Sequence, residues 1–360
     1  MTKIRIQKVR GEIKELNLDA FFVTKTANIH YLTGVNCFSD LEQDGYLFLT
    51  QKNIILFTNQ LYLTEVQQKL KDTDIKIYLT ETIQSHVQKI IESENIIRIG
   101  FEQEIAFYEY QYLKNNFEIS LVSTEGVVEE VRKIKDKIEI ETIRKACELS
   151  DKTYSYVLKN IRINITEREV AFKLEQYIRQ HGGEIAFPSI VAFGKNSATP
   201  HHKTDDTKLK DNSIVLLDFG AKIEGYCADI SRTVFFGKAG TKFKNIYQTV
   251  LDAQLKTIEA VGPNKTLSEI DKTARSFITE KNYPSIPHAL GHGVGLEVHE
   301  KPSVSRRSEE ALDTDMVFTI EPGIYLPGFG GIRIEDAVHF DGEKANILSN
   351  SNKKLIEITI

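Results

Sequence analysis

Four acidic side chains interrupt segments of this 360-residue chain that otherwise have the apolar pattern of buried β-strands. They are Asp218, Asp229, Glu321 and Glu335. A carboxylate inside such a strand costs free energy unless it is paired with a cation or binds a metal ion. Each acid alone could be salt-bridged or solvent-facing, but basic residues are scarce nearby, and only Arg232 and Arg333 lie close in sequence. Four such acids together make that simple interpretation weak.

A pair of divalent cations would balance the four negative charges of these acids. Gly220 and Gly225 separate Asp218 from Asp229 and predict a hairpin that brings the two carboxylates close together. His292 lies in another glycine-punctuated strand segment and offers a neutral imidazole as a fifth ligand. Ligands that are mostly carboxylates, with one imidazole, suit Mn²⁺ best, and Fe²⁺, Co²⁺ or Zn²⁺ can also accept them. The sequence therefore predicts a two-metal site.

Length and composition set the broad class of protein. At about 150 residues per domain, the chain is long enough for roughly two domains, and its 41% hydrophobic and 27% charged residues are typical of globular proteins. We find neither an apolar run long enough to span a bilayer nor a signal-peptide core. The net charge of −5 argues against a dedicated nucleic-acid binder. Three scattered cysteines are typical of a reducing compartment. We expect a cytoplasmic protein that binds neither nucleic acid nor a membrane.

The segment pattern changes near Gly126 and predicts two domains. Residues 1–126 alternate six strand-like with four helix-like segments, which indicates an α/β domain with helices covering a mixed sheet. Residues 127–360 begin with a long charged helical stretch. Two capping boxes then mark helix starts at Thr166 and Thr266, and glycine-punctuated strands follow each helix pair. This repeated order hints at an internal duplication. The predicted fold class is α/β, with α+β character in the second domain.

The motifs around the five candidate ligands resemble those of metallopeptidase family M24. That family has the pita-bread fold and includes methionine aminopeptidase, Xaa-Pro aminopeptidase and prolidase. The matching stretches are Asp218-Phe-Gly, Asp229-Ile-Ser-Arg-Thr, Gly291-His292-Gly-Val-Gly, Thr319-Ile-Glu321-Pro-Gly and Arg333-Ile-Glu335-Asp. All five family ligand positions are present in order, and the resemblance extends over residues 129 to 345. It implies a pita-bread catalytic domain in residues 127–360.

The resemblance also implies a role for each ligand. Asp229 and Glu335 would bridge the two metals, Asp218 would bind one of them, and His292 and Glu321 would bind the other. Two metals about 3.5–4 Å apart can hold a bridging hydroxide as the nucleophile. Glu321 would then handle the proton of the attacking water.

Further motifs resemble the proline-specific members of the family. Residues 1–126 look like the creatinase/prolidase N-terminal domain, whose signature is matched by Ala27-Asn-Ile-His-Tyr-Leu-Thr-Gly34. The stretches Asn196-Ser-Ala-Thr-Pro-His-His202 and Gly295-Leu-Glu-Val-His299-Glu are similar to two proline-peptidase motifs. Creatinases share the fold but lack the metal ligands, so they are disfavoured.

These motifs extend the set of candidate catalytic residues, which are His201, His288, His299, Glu321 and Arg333. We expect His288 and His299 to stabilise the carbonyl oxygen or the tetrahedral intermediate. His201 would line the proline side of the pocket, and both His201 and His299 are expected to contact substrate. Arg333 lies two residues from Glu335 and could hold the ligand carboxylates. His202 is predicted to be a surface residue, and Tyr325 is a weaker candidate for supporting the site.

The predicted function is that of a dinuclear metal exopeptidase which releases an N-terminal residue linked to proline, an Xaa-Pro aminopeptidase. An Xaa-Pro dipeptidase, or prolidase, stays open as the alternative, and it would need a cationic group to capture the proline carboxylate. A non-catalytic pita-bread binding module is a more remote alternative, because such proteins typically lose ligands. Since family members are often dimers, we expect a homodimer.

Overall fold

The computed structural model describes residues 2–39 and 42–359, which form two compact units, Met1–Arg132 and Lys133–Ile360. The division falls after Arg132, whereas the sequence pattern placed a boundary near Gly126. The helix between these two positions, Val127–Arg132, packs against the helices Thr2–Glu15 and Thr26–Thr33 of the first unit and buries Val128. Its apolar side chains thus belong to the first core.

The first unit is a six-stranded mixed sheet with helices, as the sequence predicts. Its strands are β1 (Ala20–Val23), β2 (Gly45–Thr50), β3 (Ile54–Thr58), β4 (Lys76–Leu79), β5 (Arg98–Glu102) and β6 (Ser120–Thr124). Its helices are α1 (Thr2–Glu15), α2 (Thr26–Thr33), α3 (Leu63–Leu70), α4 (Ile83–Glu94), α5 (Phe107–Asn116) and α6 (Val127–Arg132), with a 3₁₀ turn at Thr80–Thr82. The sheet order is β4-β3-β2-β1-β5-β6, in which β2 is antiparallel to both of its neighbours.

The second unit repeats one arrangement, in which a pair of helices is followed by antiparallel strands. Its helices are α7 (Lys137–Leu158), α8 (Glu167–Gln180), α9 (Thr241–Ala260) and α10 (Leu267–Glu280), with a 3₁₀ turn at Gly194–Ala198. Its strands are β7 (Glu184–Ile185), β8 (Ile190–Phe193), β9 (Ser213–Phe219), β10 (Ala221–Ile223), β11 (Tyr226–Cys227), β12 (Ile230–Phe236), β13 (Gly291–Gly293), β14 (Glu300–Val304), β15 (Val317–Ile320), β16 (Gly323–Leu326), β17 (Gly330–Arg333), β18 (Asp336–Phe340), β19 (Ala345–Ile347) and β20 (Glu357–Ile358).

Two of its sheets position the candidate site. One has the order β20-β12-β9-β8 and the other has the order β14-β13-β15-β18-β19. Helices α7 and α8 pack on the first sheet, and α9 and α10 share a core with the second. Both predicted capping boxes are present: the hydroxyl of Thr166 accepts a hydrogen bond from the Glu169 amide, and that of Thr266 from the Glu269 amide. The same local signal therefore starts the second helix of each pair.

Among the residues that the structure describes, none of the helices combines the length and apolar character needed to cross a bilayer.

Candidate metal centre

The predicted hairpin places Asp218 and Asp229 at one end of a strand pair. Strands β9 and β12 are antiparallel, and Asp218 is in register with Ser231. Asp229 comes directly before the first residue of β12. Both side chains are buried at this end of the sheet. The sequence argument from the intervening glycines therefore located the two carboxylates correctly relative to each other.

The second sheet brings in the other three predicted ligands from adjacent strands. His292 is the central residue of β13, Glu321 follows β15, and Glu335 precedes β18. Because β15 pairs with both β13 and β18, the three side chains meet at one edge. The amide of Glu335 donates a hydrogen bond to the carbonyl oxygen of Ser231 at 3.1 Å, and this bond joins the second sheet to the first.

A glycine is required beside His292 for this close packing of strands. A Cβ atom at Gly291 would overlap the carbonyl oxygen of Thr319, which belongs to the neighbouring strand β15. Any other residue would force the strands apart. The glycine-rich character of this segment thus reflects a close backbone approach.

The five predicted ligands form two overlapping clusters. Ligand atoms of Asp218, Asp229 and Glu335 all lie within 4.8 Å of one another, and so do those of His292, Glu321 and Glu335. Glu335 is common to both clusters. Asp229 also reaches the second one, since its Oδ2 lies 3.5 Å from Nε2 of His292. Two carboxylates therefore stand between two potential cation positions.

Two carboxylate oxygens at this junction are buried without a hydrogen-bond donor among the described residues. They are Oδ1 of Asp229 and Oε1 of Glu335. The other oxygen of Glu335 accepts a hydrogen bond from the hydroxyl of Ser231 at 2.7 Å. Buried carboxylate oxygens are normally satisfied, because leaving them bare costs several kcal/mol. The bare oxygens fit a site in which divalent cations complete the coordination.

Electrostatics at the junction also require positive charge. Burial and mutual repulsion raise the pKa of Asp229 and of Glu321 well above the usual carboxyl range. The same two causes, burial first and then the charge of Asp218, raise the pKa of Glu335 to about 8. The carboxylates cannot all ionise near neutral pH by themselves. Divalent cations would reverse this penalty, so the donor set suits them.

The ring of His292 is oriented as a ligand would be. Its Nδ1 lies 3.1 Å from the carbonyl oxygen of Gly293, so Nδ1 carries the proton and donates a hydrogen bond to that oxygen. The lone pair of Nε2 then faces the acids, at 3.5 Å from Oε1 of Glu321. Burial lowers the pKa of His292 to about 4, which keeps the imidazole neutral at neutral pH.

Arg333 contacts one ligand directly and another through a hydroxyl group. Its Nη2 donates to Oδ2 of Asp218 at 2.5 Å. Its Nε donates to the hydroxyl of Ser231 at 2.7 Å, and that hydroxyl in turn donates to Glu335. Arg333 therefore holds the carboxylates of Asp218 and Glu335 in place, as we expected from its position in sequence. The role of Ser231 as the link to Glu335 was not predicted.

Tyr325 links Arg333 to His288. Its hydroxyl accepts from Nη1 of Arg333 at 2.9 Å and lies 3.0 Å from Nε2 of His288. The Nδ1 atom of His288 is 2.6 Å from the carbonyl oxygen of Ala289, so Nδ1 donates and Nε2 accepts from Tyr325. Burial raises the pKa of Tyr325 to about 12 and lowers that of His288 to about 4, so both groups are neutral near pH 7.

A cavity of about 340 Å³ opens onto these residues. It is lined by the five candidate ligands, by Arg333 and by His201, His288 and His299. The rings of His292 and His299 are 4.2 Å apart in an edge-to-face arrangement. Phe187, Ile190 and Val298 supply apolar wall that the sequence analysis did not identify. The structure thus brings every predicted site residue to one place, and it adds the apolar surface between them.

The prediction for His202 was wrong. Its side chain is only 13% exposed, and its Nε2 atom lies 2.7 Å from Oε2 of Glu167. The carboxylate of Glu167 is completely buried, so it holds the ring of His202 against the protein. Sequence alone gave no reason to pair these two residues, which come from a helix start and a distant loop.

Two family models match the chain. The model of metallopeptidase family M24 matches residues 141–341, and that of the creatinase/prolidase N-terminal domain matches residues 5–134. The chain belongs to metallopeptidase family M24. Among curated relatives, an uncharacterized peptidase of Staphylococcus aureus is 44% identical over 191 residues, covering 52% of this chain and 54% of that protein. The chain thus spans about half the length of the curated relatives it matches.

Solved structures of similar proteins match nearly the whole M24 chain. An Xaa-Pro dipeptidase from Bacillus anthracis is 32% identical, with a TM-score of 0.94 over 99% of this chain and 100% of that chain. A prolidase from Pyrococcus horikoshii is 34% identical, with a TM-score of 0.90 over 98% and 99% of the two chains. An X-Pro aminopeptidase from Thermotoga maritima is 31% identical, with a TM-score of 0.88 over the same shares. The N-terminal creatinase-like domain and the pita-bread domain predicted from sequence are confirmed.

Proposed function

We propose that this M24 peptidase uses two divalent cations to hydrolyse the bond between an N-terminal residue and a proline in second position. The observation that carries the proposal is the pair of bare, buried oxygens on Asp229 and Glu335, placed between two ligand clusters. Asp229 and Glu335 would bind both cations, Asp218 would bind one, and His292 and Glu321 would bind the other. Mn²⁺ is the cation that suits these ligands best.

The bound cations would supply a Lewis acid for the scissile carbonyl and an acidified water as the nucleophile. With the cations bound, Glu321 would be ionised and could accept the proton of that water on a carboxylate oxygen. His299 presents a solvent-exposed ring to the cavity and is the better of the two predicted donors to the developing oxyanion. Both nitrogens of His288 are already engaged with Ala289 and Tyr325. His288 therefore helps to orient Tyr325 and does not donate a hydrogen bond to the oxyanion.

The cavity favours an aminopeptidase over a dipeptidase. A dipeptidase needs a cationic side chain for the carboxylate of the proline, and Arg333 is the one lysine or arginine that lines the cavity in the described part of the chain. Arg333 is already bound to Asp218, Ser231 and Tyr325. Its charge is thus committed to the protein's own groups.

A second cavity, of about 490 Å³, adjoins the predicted proline side and shares Ile190 and His201 with the first. Ala171 and Phe172 line it along one face of α8. Its cationic side chains, those of Arg168 and Lys203, could receive the carboxylate of a longer peptide, and they are also the candidates that a dipeptidase would require. This space could accept the residues that follow proline in a longer peptide. We therefore propose an Xaa-Pro aminopeptidase, and we keep the dipeptidase as the alternative that the names of two similar structures favour.

The test compares three substrates with the Mn²⁺-loaded protein: Ala-Pro-Ala, Ala-Pro and Ala-Ala-Ala. An aminopeptidase releases alanine from Ala-Pro-Ala at a much higher kcat/KM than from Ala-Ala-Ala. Cleavage of Ala-Pro alone would instead identify a dipeptidase. If protein with bound Mn²⁺ cleaves none of the three, a non-catalytic binding module becomes the better description.

The assembly is a separate proposal. We propose a homodimer on the basis of the family resemblance, and light scattering of the purified protein measures it. A monomer at micromolar concentration would contradict this proposal without affecting the proposed activity.

A further inference from the structure

His201 lies in a short turn whose orientation determines where its imidazole points. The amide of His202 donates to the carbonyl oxygen of Thr199 at 3.1 Å, which closes the turn around Pro200 and His201. His201 itself is exposed and lines both cavities. An exposed side chain on a turn has little packing of its own, so its position depends on what fixes its neighbours.

The neighbour on one side is fixed by Glu167. Oε1 of this buried carboxylate accepts from the amide of Phe193 at 2.7 Å and from Nδ2 of Asn196 at 2.8 Å. Oε2 accepts from Nε2 of His202 at 2.7 Å and from the amide of Asp205 at 3.1 Å. One carboxylate thus ties both ends of the loop that runs from strand β8 to residue 205.

This set of bonds also excludes a metal at Glu167. The side chains of Glu167, His202 and Asp205 are close enough together to hold a cation. However, four donors already use the lone-pair directions that the two oxygens of Glu167 offer. Each donor is an N–H group, and a cation in the same position would have to displace them. Glu167 therefore acts as a clamp on the loop.

The neighbour on the other side, Pro200, is held by Arg333 of the candidate metal centre. The carbonyl oxygen of Pro200 accepts from Nη1 of Arg333 at 3.4 Å. His201 thus lies between a carbonyl that Arg333 holds and a ring that Glu167 holds. A loss of either contact would leave the turn free to rotate away from the cavity.

We infer that Glu167 and His202 are positioning residues that hold the turn of His201 against the catalytic cavity. Neither side chain touches the candidate ligands, so their effect on the reaction passes through His201. The inference rests on the proposed function for its kinetic readout, but the hold on the turn is measured independently of activity.

The variants are His202→Ala, His202→Gln and Glu167→Gln, with His339→Ala as the matched control. His339 is also 13% exposed and its Nε2 lies 2.9 Å from Oδ1 of Asp315, so the control removes a similar histidine–carboxylate pair. His202→Gln keeps an amide N–H that can reach Glu167. If Glu167→Gln fails to fold, because an amide group would face backbone N–H donors, the His202 variants still decide the question.

Native-state cleavage by trypsin after Lys203, followed by mass spectrometry, measures the hold on the turn. We expect His202→Ala to speed this cleavage by about tenfold, as the loss of a hydrogen bond to a charged group predicts. His202→Gln should restore most of the resistance, and His339→Ala should leave it unchanged. An unchanged cleavage rate in His202→Ala would overturn the inference.

A double-mutant cycle with His201→Ala measures the effect on catalysis. With Xaa-Pro-Xaa substrates, His202→Ala should lower kcat/KM by about tenfold and change the same parameter, KM or kcat, as His201→Ala does. In the His201→Ala background, His202→Ala should change kcat/KM by less than about twofold, because His202 acts through the side chain of His201. Fully additive losses would refute the role. If the parent cleaves no peptide, the proposed function fails, and the cleavage rate at Lys203 alone decides whether the clamp exists.

Discussion

Nη2 of Arg333 lies 2.5 Å from Oδ2 of Asp218, and both side chains are buried. This contact takes up one of the two carboxylate oxygens of Asp218. A carboxylate oxygen of Asp218 also lies within 4.8 Å of ligand atoms of Asp229 and Glu335. A charge-assisted bond like that from Arg333 fixes the carboxylate in one orientation. Arg333 therefore determines how Asp218 is presented to the cluster.

Replacing Arg333 by lysine is expected to weaken Mn²⁺ binding and kcat/KM by about 10- to 100-fold. An ammonium group cannot donate at once to Asp218, Ser231 and Tyr325, which the planar guanidinium reaches from three nitrogens. Calorimetric titration with Mn²⁺ and peptide hydrolysis measure the two effects. The control is Arg144→Lys, which alters a partly exposed arginine that pairs with Glu141 and lines neither cavity. Equal behaviour of the two variants would contradict the role of Arg333.

Tyr325→Phe is expected to lower kcat by about tenfold while the Mn²⁺ content stays the same. The change removes the hydroxyl that connects Arg333 with His288, a loss of two hydrogen bonds worth about 1 kcal/mol each. Tyr247→Phe is a suitable control, because the hydroxyl of Tyr247 binds the carbonyl oxygen of Lys353 and the residue does not line the cavity. Loss of metal from Tyr325→Phe would show that the hydroxyl supports the ligands rather than His288.

Asp229→Asn is expected to abolish activity and to raise the stability of the metal-free protein. Activity is lost because an amide cannot bridge two cations as a carboxylate does. Stability rises because the variant removes a buried acid whose charge is repelled first by Glu335 and then by Asp218. Elemental analysis and thermal unfolding in a chelator measure these outcomes. Near-normal hydrolysis by Asp229→Asn would rule out its assignment as a bridging ligand.

The metal-free protein should lose stability as the pH rises from about 6.5 to about 8. The folded pKa of Glu335 is about 8, above its ordinary value, so the folded state binds a proton that the unfolded state has released across this range. Below about 6.5 the decline should become shallower, because His288 and His292 have folded pKa values of about 4 and the unfolded state takes up protons that offset those held by Asp229, Glu321 and Glu335 in the folded state.

Urea unfolding in the presence of a chelator measures this profile. Glu335→Gln should flatten the decline between pH 6.5 and 8, since it removes the carboxyl that titrates there. Added Mn²⁺ should reverse the decline, because ionised carboxylates bind cations more tightly as the pH rises. A metal-free protein whose stability rises steadily up to pH 8 would show that the acids are not coupled as the structure indicates.

The sequence predicted those parts of the structure that depend on local chemistry. The hairpin between Asp218 and Asp229 follows from two glycines, and the helix starts at Thr166 and Thr266 follow from capping boxes. The ligands could be recognised because a charged residue inside an apolar strand is unusual. Each of these signals lies within a few consecutive residues, where propensity and spacing are informative.

The remainder depends on contacts between distant segments. The sequence around Ser231 is that of an ordinary strand, and only the packing of the two sheets shows that its hydroxyl joins Arg333 to Glu335. Glu167 sits inside the capping box that begins α8, where an acid is normally explained by the helix dipole. Helix α2 was missed because polar Asn28 and Thr33 are among its buried side chains, so its sequence shows no clear apolar stripe. No spacing rule in the sequence connects these residues to their partners.

The candidate ligands come from two sheets, and this has a consequence for the order of folding. Asp218 and Asp229 belong to the sheet of β9 and β12, whereas His292, Glu321 and Glu335 belong to the sheet of β13, β15 and β18. A chain in which one sheet is still unformed offers only two or three of the five donors, and such an incomplete set binds cations weakly. Mn²⁺ should therefore slow unfolding of the finished protein without accelerating its refolding, so that cation uptake reports completion of the native state.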